Sequence, residues 1–408
     1  MSALSEAEVD RIFREEYGRV VASLIRRFGS IDIAEDAASE ALLAAVERWP
    51  EDGVPPNPGG WLTTTAARKA IDKIRRESHR DAKHQQAAMI APQSSWETPH
   101  QRTGAVDDDR LRLIFICCHP ALAPEARVAL TLRLLGGLTV PEIAAAFLVS
   151  ETTMGQRITR AKKKIAAANI PYRVPAAEDL PSRVSGVLAV LYLVFNEGYL
   201  STSGSAPMRV DLTAEAIRLC RVLRSLLPTE PEVAGLLALM LLTDARRTQR
   251  FSTDGVLVPL RDQDRGAWDG EEIAEGLSLV RECLAVNRPG VYQIQAAVNA
   301  VHTSARTAAE TDWSQIAALY GQLLTLNPSP VVALNRAVAL SELDGPAVGL
   351  AEVDRLDLAS YHPWHVTRAE LLRRLDRPAD ARTAYDAALA LIDNPAEAAY
   401  LTGRRDSL

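Results

Sequence analysis

The spacing of apolar residues predicts that the chain is built from helices. Over residues 12–28 apolar side chains recur at helical spacing, which indicates a first helix. A second helix is predicted over residues 34–49, ended by Pro50, and a third begins at Trp61 after a proline-rich loop. The inward positions of the third helix are Leu62, Ala66, Ala70 and Ile74. These helices make a first small domain, residues 1–80.

The rest of the chain divides into a linker and two further helical parts. Residues 81–107 have no apolar period and are rich in Gln, Ser and Pro, so they are predicted to be a flexible linker. A second small helical domain follows over residues 108–170, and residues 182–408 read as helix after helix. One irregular interval lies near residues 251–270. The predicted fold class is therefore all-α, with two small domains and a larger C-terminal domain.

The C-terminal part hints at a helical repeat. Its best unit is a small–aromatic–small spacing typical of the second helix of a tetratricopeptide repeat, carried by Ala381, Tyr385 and Ala388. Because the other units are degenerate, the repeat architecture is a hypothesis drawn from spacing alone.

Residues 138–165 have the pattern of a helix-turn-helix. One amphipathic helix is followed by Ser150, an N-cap candidate for a second helix. The inward positions of that second helix are Met154, Ile158, Ala161 and Ile165. Its opposite face carries Thr152, Gln156, Arg160 and Lys163. Such a face can reach base edges with its N-terminal half and phosphates with its C-terminal half.

A second basic helix lies upstream, between Trp61 and His84. This stretch holds seven Lys and Arg against three Asp and Glu. One of its faces carries Lys69, Lys73, Arg76 and Arg80, and Arg68 and Arg75 flank that face. A single basic helix is often only a solvated surface. Two of them on separate domains joined by a linker favour two contacts with DNA.

Composition agrees with this interpretation. The 408 residues are 47% hydrophobic and 24% charged, as in soluble globular proteins, and no long uncharged apolar run predicts a membrane span. The net charge of −6 is unevenly distributed, since it is +1 through Tyr172 and −7 afterwards. An acidic total is therefore compatible with nucleic-acid binding by the first part. Four cysteines without paired spacing indicate reduced thiols in a cytoplasmic protein.

The order of these elements resembles the extracytoplasmic-function (ECF) sigma factors of bacterial RNA polymerase. The segment WLTTTAARKAIDKIRRE resembles the family's −10 element segment, with matches at Trp61, Leu62, Ala67, Arg68, Asp72, Arg75 and Arg76. The segment VSETTMGQRITRAKKKI resembles its −35 recognition helix, with matches at Ser150, Thr153, Arg157, Arg160 and Ala161. The resemblance implies a fold of two helical DNA-binding domains, and it implies promoter DNA as a partner.

The resemblance also implies RNA polymerase core as a partner. The segment IAEDAASEALLAAVERWP resembles the helix that docks on the clamp helices of the polymerase, with matches at Asp36 and Glu40. Ala37, Ser39 and Leu42 depart from the family pattern. From charge alone, the acidic residues 107–109 are expected to lie in the polymerase's nucleic-acid channel. No catalytic residue, metal or cofactor is expected.

Four later motifs resemble the ECF subgroup with a tetratricopeptide-like extension: FNEGY, DARR, DQDRGAWD and LNRAVAL. This resemblance implies control by the chain's own C-terminal domain or by a partner protein bound there. Two rival functions stay open, a stand-alone helix-turn-helix regulator with a sensing domain and an enzyme that uses residues 262–269. For that segment a loop holding helices together is favoured, and core packing is favoured for the Cys117–Cys118 pair.

Overall fold

The computed structural model describes residues 6–84, 103–147, 149–168, 170–199, 208–252, 255–392 and 394–408. Over these ranges the protein is all-α, as predicted, with eighteen α-helices and a single isolated β-bridge between Phe251 and Leu257. The chain divides into two compact units, Met1–Leu191 and Tyr192–Leu408. No helix within the described ranges is long and apolar enough to cross a bilayer.

Three helices open the first unit: α1 (Glu6–Phe28), α2 (Ile31–Asp52) and α3 (Pro58–His84). Two predicted boundaries were wrong. Helix α2 passes through Pro50 and ends at Asp52, because its C-cap Gly53 has a positive φ of 81° and donates its N–H to the Trp49 carbonyl. Helix α3 begins at Pro58 instead of Trp61, because proline suits a first helical turn that needs no N–H donor.

The core of this three-helix part follows the predicted stripe only in part. Leu62, Ala66 and Ala70 are fully buried, whereas Ile74 is 38% exposed, so the inward stripe of α3 ends one turn earlier than predicted. Trp49 is also buried and meets the Trp61 ring edge-on, with centroids 5.4 Å apart. Trp61 therefore contributes to this core, although it is only half-buried.

Four helices continue the first unit: α4 (Thr103–Cys117), α5 (Pro124–Leu134), α6 (Val140–Ala146) and α7 (Glu151–Ala167). Since α3 runs to His84 and α4 starts at Thr103, both ends of the predicted linker 81–107 are helical. Its remaining residues lie outside the described ranges. Cys117 and Cys118 are buried in the core, as expected, and burial raises the pKa of both thiols.

The acidic end of the predicted linker does not have the expected role at Asp109. This carboxylate is completely buried on α4, 3.0 Å from the Arg26 guanidinium and 2.5 Å from that of Arg112. Charge alone suggested an exposed residue facing nucleic acid. Its two arginine partners instead show that Asp109 forms a buried ion pair that links α1 and α4. The side chains of Asp107 and Asp108 lie outside the described part of the chain.

The unit boundary falls inside α8 (Leu180–Tyr199), and the second unit is an array of helices that pack on their neighbours along the chain. They are α9 (Val210–Leu226), α10 (Pro231–Asp244), α11 (Gly270–Val286), α12 (Val291–Ser304), α13 (Trp313–Leu326), α14 (Pro330–Leu343), α15 (Pro346–Val353), α16 (His362–Arg374), α17 (Pro378–Leu389) and α18 (Pro395–Asp406). The predicted irregular interval lies between α10 and α11 and contains short 3₁₀ turns.

The residues of the best repeat unit are core residues of α17. Ala381, Tyr385 and Ala388 are fully buried, and α17 packs on α16. The Tyr385 hydroxyl hydrogen-bonds the Glu370 carboxylate of α16. Small residues thus let the two helices approach each other while the aromatic ring fills the space between them. Assignment of this array to the tetratricopeptide class stays a prediction.

Candidate nucleic-acid interface

The helix-turn-helix has the local structure that its sequence predicts. Thr139 and Glu142 form a reciprocal capping box at the start of α6, and Ser150 accepts a hydrogen bond from the Thr153 N–H at the start of α7. The four predicted inward residues of α7 are buried: Met154, Ile158, Ala161 and Ile165. The opposite face of α7 is therefore fixed towards solvent.

That solvent-facing side carries the predicted DNA contacts. Five of the six side chains are exposed, namely Thr152, Thr153, Gln156, Arg160 and Lys163, and Arg157 is half-buried. The Thr153 hydroxyl lies 2.8 Å from Ser150 Oγ, so the cap also orients the first polar residues of the helix. The arrangement places short polar groups at the N-terminal half and cations at the C-terminal half, as a recognition helix requires.

The predicted basic face of α3 separates into two groups. Arg68, Arg75 and Arg76 are exposed, whereas Lys69 and Lys73 are turned towards α2. The Lys69 ammonium lies 3.5 Å from the Glu40 carboxylate, and Lys73 pairs with Asp36. The structure therefore brings two predicted DNA-binding lysines against the two predicted polymerase-binding acids. The side chain of Arg80 lies outside the described part of α3.

These α2–α3 ion pairs leave the carboxylates accessible. The side chain of Asp36 is 55% exposed and that of Glu40 is 37% exposed. Ion pairs at such surfaces contribute at most about 1 kcal/mol each. A partner protein can therefore exchange them for its own cations at little cost.

A buried carboxylate that sequence reasoning missed lies beside this surface. Glu35 of α2 accepts a 2.6 Å hydrogen bond from Arg133 Nε of α5 and pairs with the Lys162 ammonium of α7. Lys162 also bonds Asp32 at 2.9 Å. Glu35 is buried on α2 together with a stripe of alanines that includes Ala38. An acidic residue within an apolar stripe was the sequence signal that could have indicated a buried carboxylate. Helix α7 is thus anchored to α2.

The electrostatics of this contact favour the charged forms. Burial by itself would lower the pKa of Lys162, but the Glu35 and Asp32 carboxylates outweigh it and raise that pKa. Burial likewise opposes a raised pKa at Arg133, where Tyr17 and Glu35 outweigh it. Both cations therefore stay protonated while α2, α5 and α7 are in contact.

In the second unit, residues 262–269 make contacts that hold helices together. The Asp264 carboxylate accepts from the Gly266 N–H, and the Asp269 carboxylate caps α11 through the N–H groups of Glu271 and Glu272. Arg265 donates to three oxygens at the end of α12 and beyond it, those of the His302 and Ala305 carbonyls and the Thr311 hydroxyl. These contacts agree with the loop interpretation. The described residues contain no cluster of potential metal ligands.

Comparisons with known proteins identify both domains of the first unit. The model described as "Sigma-70 region 2" matches residues 12–80, and "Sigma-70, region 4" matches residues 112–165. A family of unknown function (DUF6596) matches residues 183–284. No solved structure matches.

Two relatives extend these matches. "ECF RNA polymerase sigma factor SigJ" of Mycobacterium tuberculosis (strain ATCC 25618 / H37Rv) is 31% identical over 148 residues, which cover 35% of this chain and 45% of the relative. "Uncharacterized protein R00370" of Rhizobium meliloti (strain 1021) is 44% identical over 394 residues, which cover 96% of this chain and 93% of the relative.

The two matched regions define the class of protein as a sigma-70-type transcription initiation factor. Together with the similarity to SigJ, these matches support an ECF-type sigma factor. The sigma factor domains imply RNA polymerase core and promoter DNA as partners, and sigma factors are non-enzymatic transcription initiation factors. The rival interpretation as a stand-alone helix-turn-helix regulator is not favoured, because a sigma region 2 accompanies the helix-turn-helix.

Proposed function

We propose that α7 reads the upstream −35 element of the promoter. Thr152, Thr153, Gln156 and Arg157 would contact base edges in the major groove, and Arg160 and Lys163 would contact phosphates. The observation that carries this assignment is the burial of Met154 and Ile158, which leaves the polar side of α7 open to a duplex.

The α3 arginines are assigned to the −10 element. Arg68, Arg75 and Arg76 are exposed and would hold phosphates there, together with Arg80. Lys69 and Lys73 would join them once Asp36 and Glu40 engage the polymerase, because the α2–α3 ion pairs then open. Melting costs a few kcal/mol per extruded base, so grouped cations and base pockets must act together. The site of action is the cytoplasm, where template and polymerase are.

Run-off transcription tests the α7 assignment. Sheared genomic DNA of the source organism is transcribed by purified core polymerase with the full chain, and the RNA 5′ ends are sequenced. We expect a set of starts that share a −35 sequence. Gln156→Ala should lower or relax selection at one −35 position, since a good base contact contributes roughly 1–3 kcal/mol of discrimination.

The matched control is Thr159→Ala, which alters another exposed residue of α7 outside the assigned set. It should leave both the starts and their levels unchanged. Equal behaviour of the two variants at every promoter would refute the assignment of α7 residues, even if transcription by the unaltered chain were specific.

We further assign control of promoter use to the C-terminal unit, acting on its own chain or through a protein partner. The test is a truncation after Leu191, because Arg183 of α8 donates a 2.6 Å hydrogen bond to the Phe115 carbonyl and belongs to the first unit. A cut at Tyr172 would remove that contact. The shortened chain is first checked for a cooperative thermal transition. If the shortened chain supports the same level of transcription as the full chain, with the same choice of promoters, the regulatory role is contradicted.

A further inference from the structure

A cavity of about 450 Å³ lies inside the C-terminal unit. Its walls come from residues 259–265 of the irregular interval and from helices α12, α13, α14 and α16. This volume is in the range of small-molecule sites, which are mostly apolar with a few convergent polar groups. Trp313, Val338, Val366 and Leu371 supply the apolar part of the wall.

The two carboxylates in the wall are already neutralised by protein groups. Glu342 receives a 2.6 Å hydrogen bond from Arg374. Glu370 receives hydrogen bonds from Arg404 at 2.9 and 3.0 Å and from Arg373 at 3.2 Å. Although burial would raise the pKa of Glu370, these partners lower it to about 2. Neither carboxylate is therefore available to attract a cationic ligand.

The guanidinium groups near the cavity are less well compensated. Arg261 is half-exposed and lies 3.5 Å from Glu370 and 4.0 Å from Asp262, which are loose ion-pair distances. Arg265, also in the wall, donates hydrogen bonds to two backbone carbonyls and a hydroxyl. Burial and Arg246 lower the pKa of Arg265, and the opposing effect of the Glu310 carboxylate does not outweigh them. The wall thus carries more positive than negative charge.

A third guanidinium adds to this field from behind the wall. Arg246 donates to the Asn299 side chain at 3.1 Å, and its Nε is buried without a hydrogen-bond partner. Asn299 lies one turn before His302 on α12, and His302 lines the cavity. Burial, Arg246 and Arg265 together lower the pKa of His302 to about 4. A buried cation without a carboxylate partner is costly unless an anion approaches it.

His302 also has an unused polar atom. Its Nδ1 is buried and has no hydrogen-bond partner in the described structure, while its ring meets Trp313 edge-on with centroids 5.4 Å apart. An unsatisfied buried nitrogen beside a cavity marks a position that a ligand atom can satisfy. The surrounding unit has a net charge of opposite sign, so this positive region is local.

We propose that this cavity binds a small organic anion, with the apolar body against Trp313 and Val338 and the negatively charged group towards Arg261 and His302. The proposal concerns the C-terminal unit alone, and it holds whether or not that unit controls transcription. Carboxylates and sulfonates share the required chemistry, a single anionic group on an apolar body.

The test uses the full chain and the fluorescent probe 8-anilinonaphthalene-1-sulfonate, which has one sulfonate on an apolar body. Two competitors of the same shape and opposite charge, 4-phenylbutyrate and 4-phenylbutylamine, are then titrated against the bound probe. We expect the carboxylate to displace the probe at concentrations at least tenfold lower than the amine does, which corresponds to about 1.4 kcal/mol.

A charge-reversal pair locates the site. Arg261→Glu should weaken probe binding about tenfold or more, since it replaces the loosely paired cation by an anion. Arg281→Glu makes the same charge change on an exposed residue of α11 and should leave binding unchanged. Equal displacement by the two competitors, or equal probe binding by the two variants, would overturn the proposal. If Arg261→Glu does not fold, the competitor pair on the unaltered chain decides.

Discussion

Glu35→Ala tests whether the buried carboxylate of α2 anchors helix α7. The substitution leaves Arg133 and Lys162 without their common partner, and these side chains are only 20% and 18% exposed. Removing one partner of a buried ion pair costs about 3–5 kcal/mol, because the remaining charge stays desolvated. We take the lower end, roughly 3 kcal/mol, since Lys162 keeps its contact with the exposed Asp32.

The effect should appear as a shift in one thermal transition. For a unit of 150–250 residues, 1 kcal/mol moves the midpoint by about 2–4 °C, so Glu35→Ala should lower it by roughly 6–12 °C. Scanning calorimetry of the full chain reports both units, and the C-terminal unit serves as an internal reference. The midpoint of Glu35→Gln should lie between those of the unaltered chain and Glu35→Ala, because the amide oxygen still accepts a hydrogen bond from Arg133.

The matched control is Glu47→Ala, the same change at an exposed position of the same helix. Its effect should stay within about 0.5 kcal/mol, as for surface substitutions in general. If Glu35→Ala and Glu47→Ala move the transition equally, the buried ion pairs do not hold α7 on α2 and this reasoning is refuted.

Two further predictions concern the C-terminal unit. The folded pKa of Glu370 lies at about 2, below the unfolded value of about 4.3. Its ionised form therefore contributes roughly 3 kcal/mol to the free energy of unfolding above pH 4.3, and this contribution is lost as the pH falls towards 2. Acid unfolding of Glu370→Gln should lack that loss. Gly198→Ala should destabilise α8 by about 1–3 kcal/mol, since its Cβ would lie 2.7 Å from the Thr213 nitrogen. In Gly321→Ala the added Cβ has no atom within 4 Å, so this substitution should stabilise α13 by up to about 1 kcal/mol. Urea unfolding measures the stability of both glycine variants. Equal effects of the two substitutions would contradict the packing argument.

The sequence predicted best those features that depend on neighbouring residues. The cap at Ser150 and the buried side of α7 follow from local signals, and both were confirmed. The end of α2 was wrong because proline was taken as the stop, whereas a backbone of positive φ at Gly53 ends the helix. Local patterns describe the first turn and the stripe of a helix more reliably than its length.

The sequence pattern did not predict the ion pairs between residues far apart in the chain. Glu35 meets Arg133 and Lys162 across 98 and more residues of sequence, and nothing in the α2 segment indicates which cations complete it. The same holds for Lys69 and Lys73, which the pattern placed on a free basic face and the fold turns towards α2. Charge patterns predict which residues are cationic, but packing decides which carboxylate each of them meets.

The most direct measurement of the central claim is co-elution of the full chain with purified RNA polymerase core in size-exclusion chromatography. We expect one complex at low salt, weakened when Asp36 and Glu40 are both replaced by alanine and unaffected by Glu47→Ala. Failure of the unaltered, folded chain to co-elute with the core at any salt concentration would contradict its action as a sigma factor.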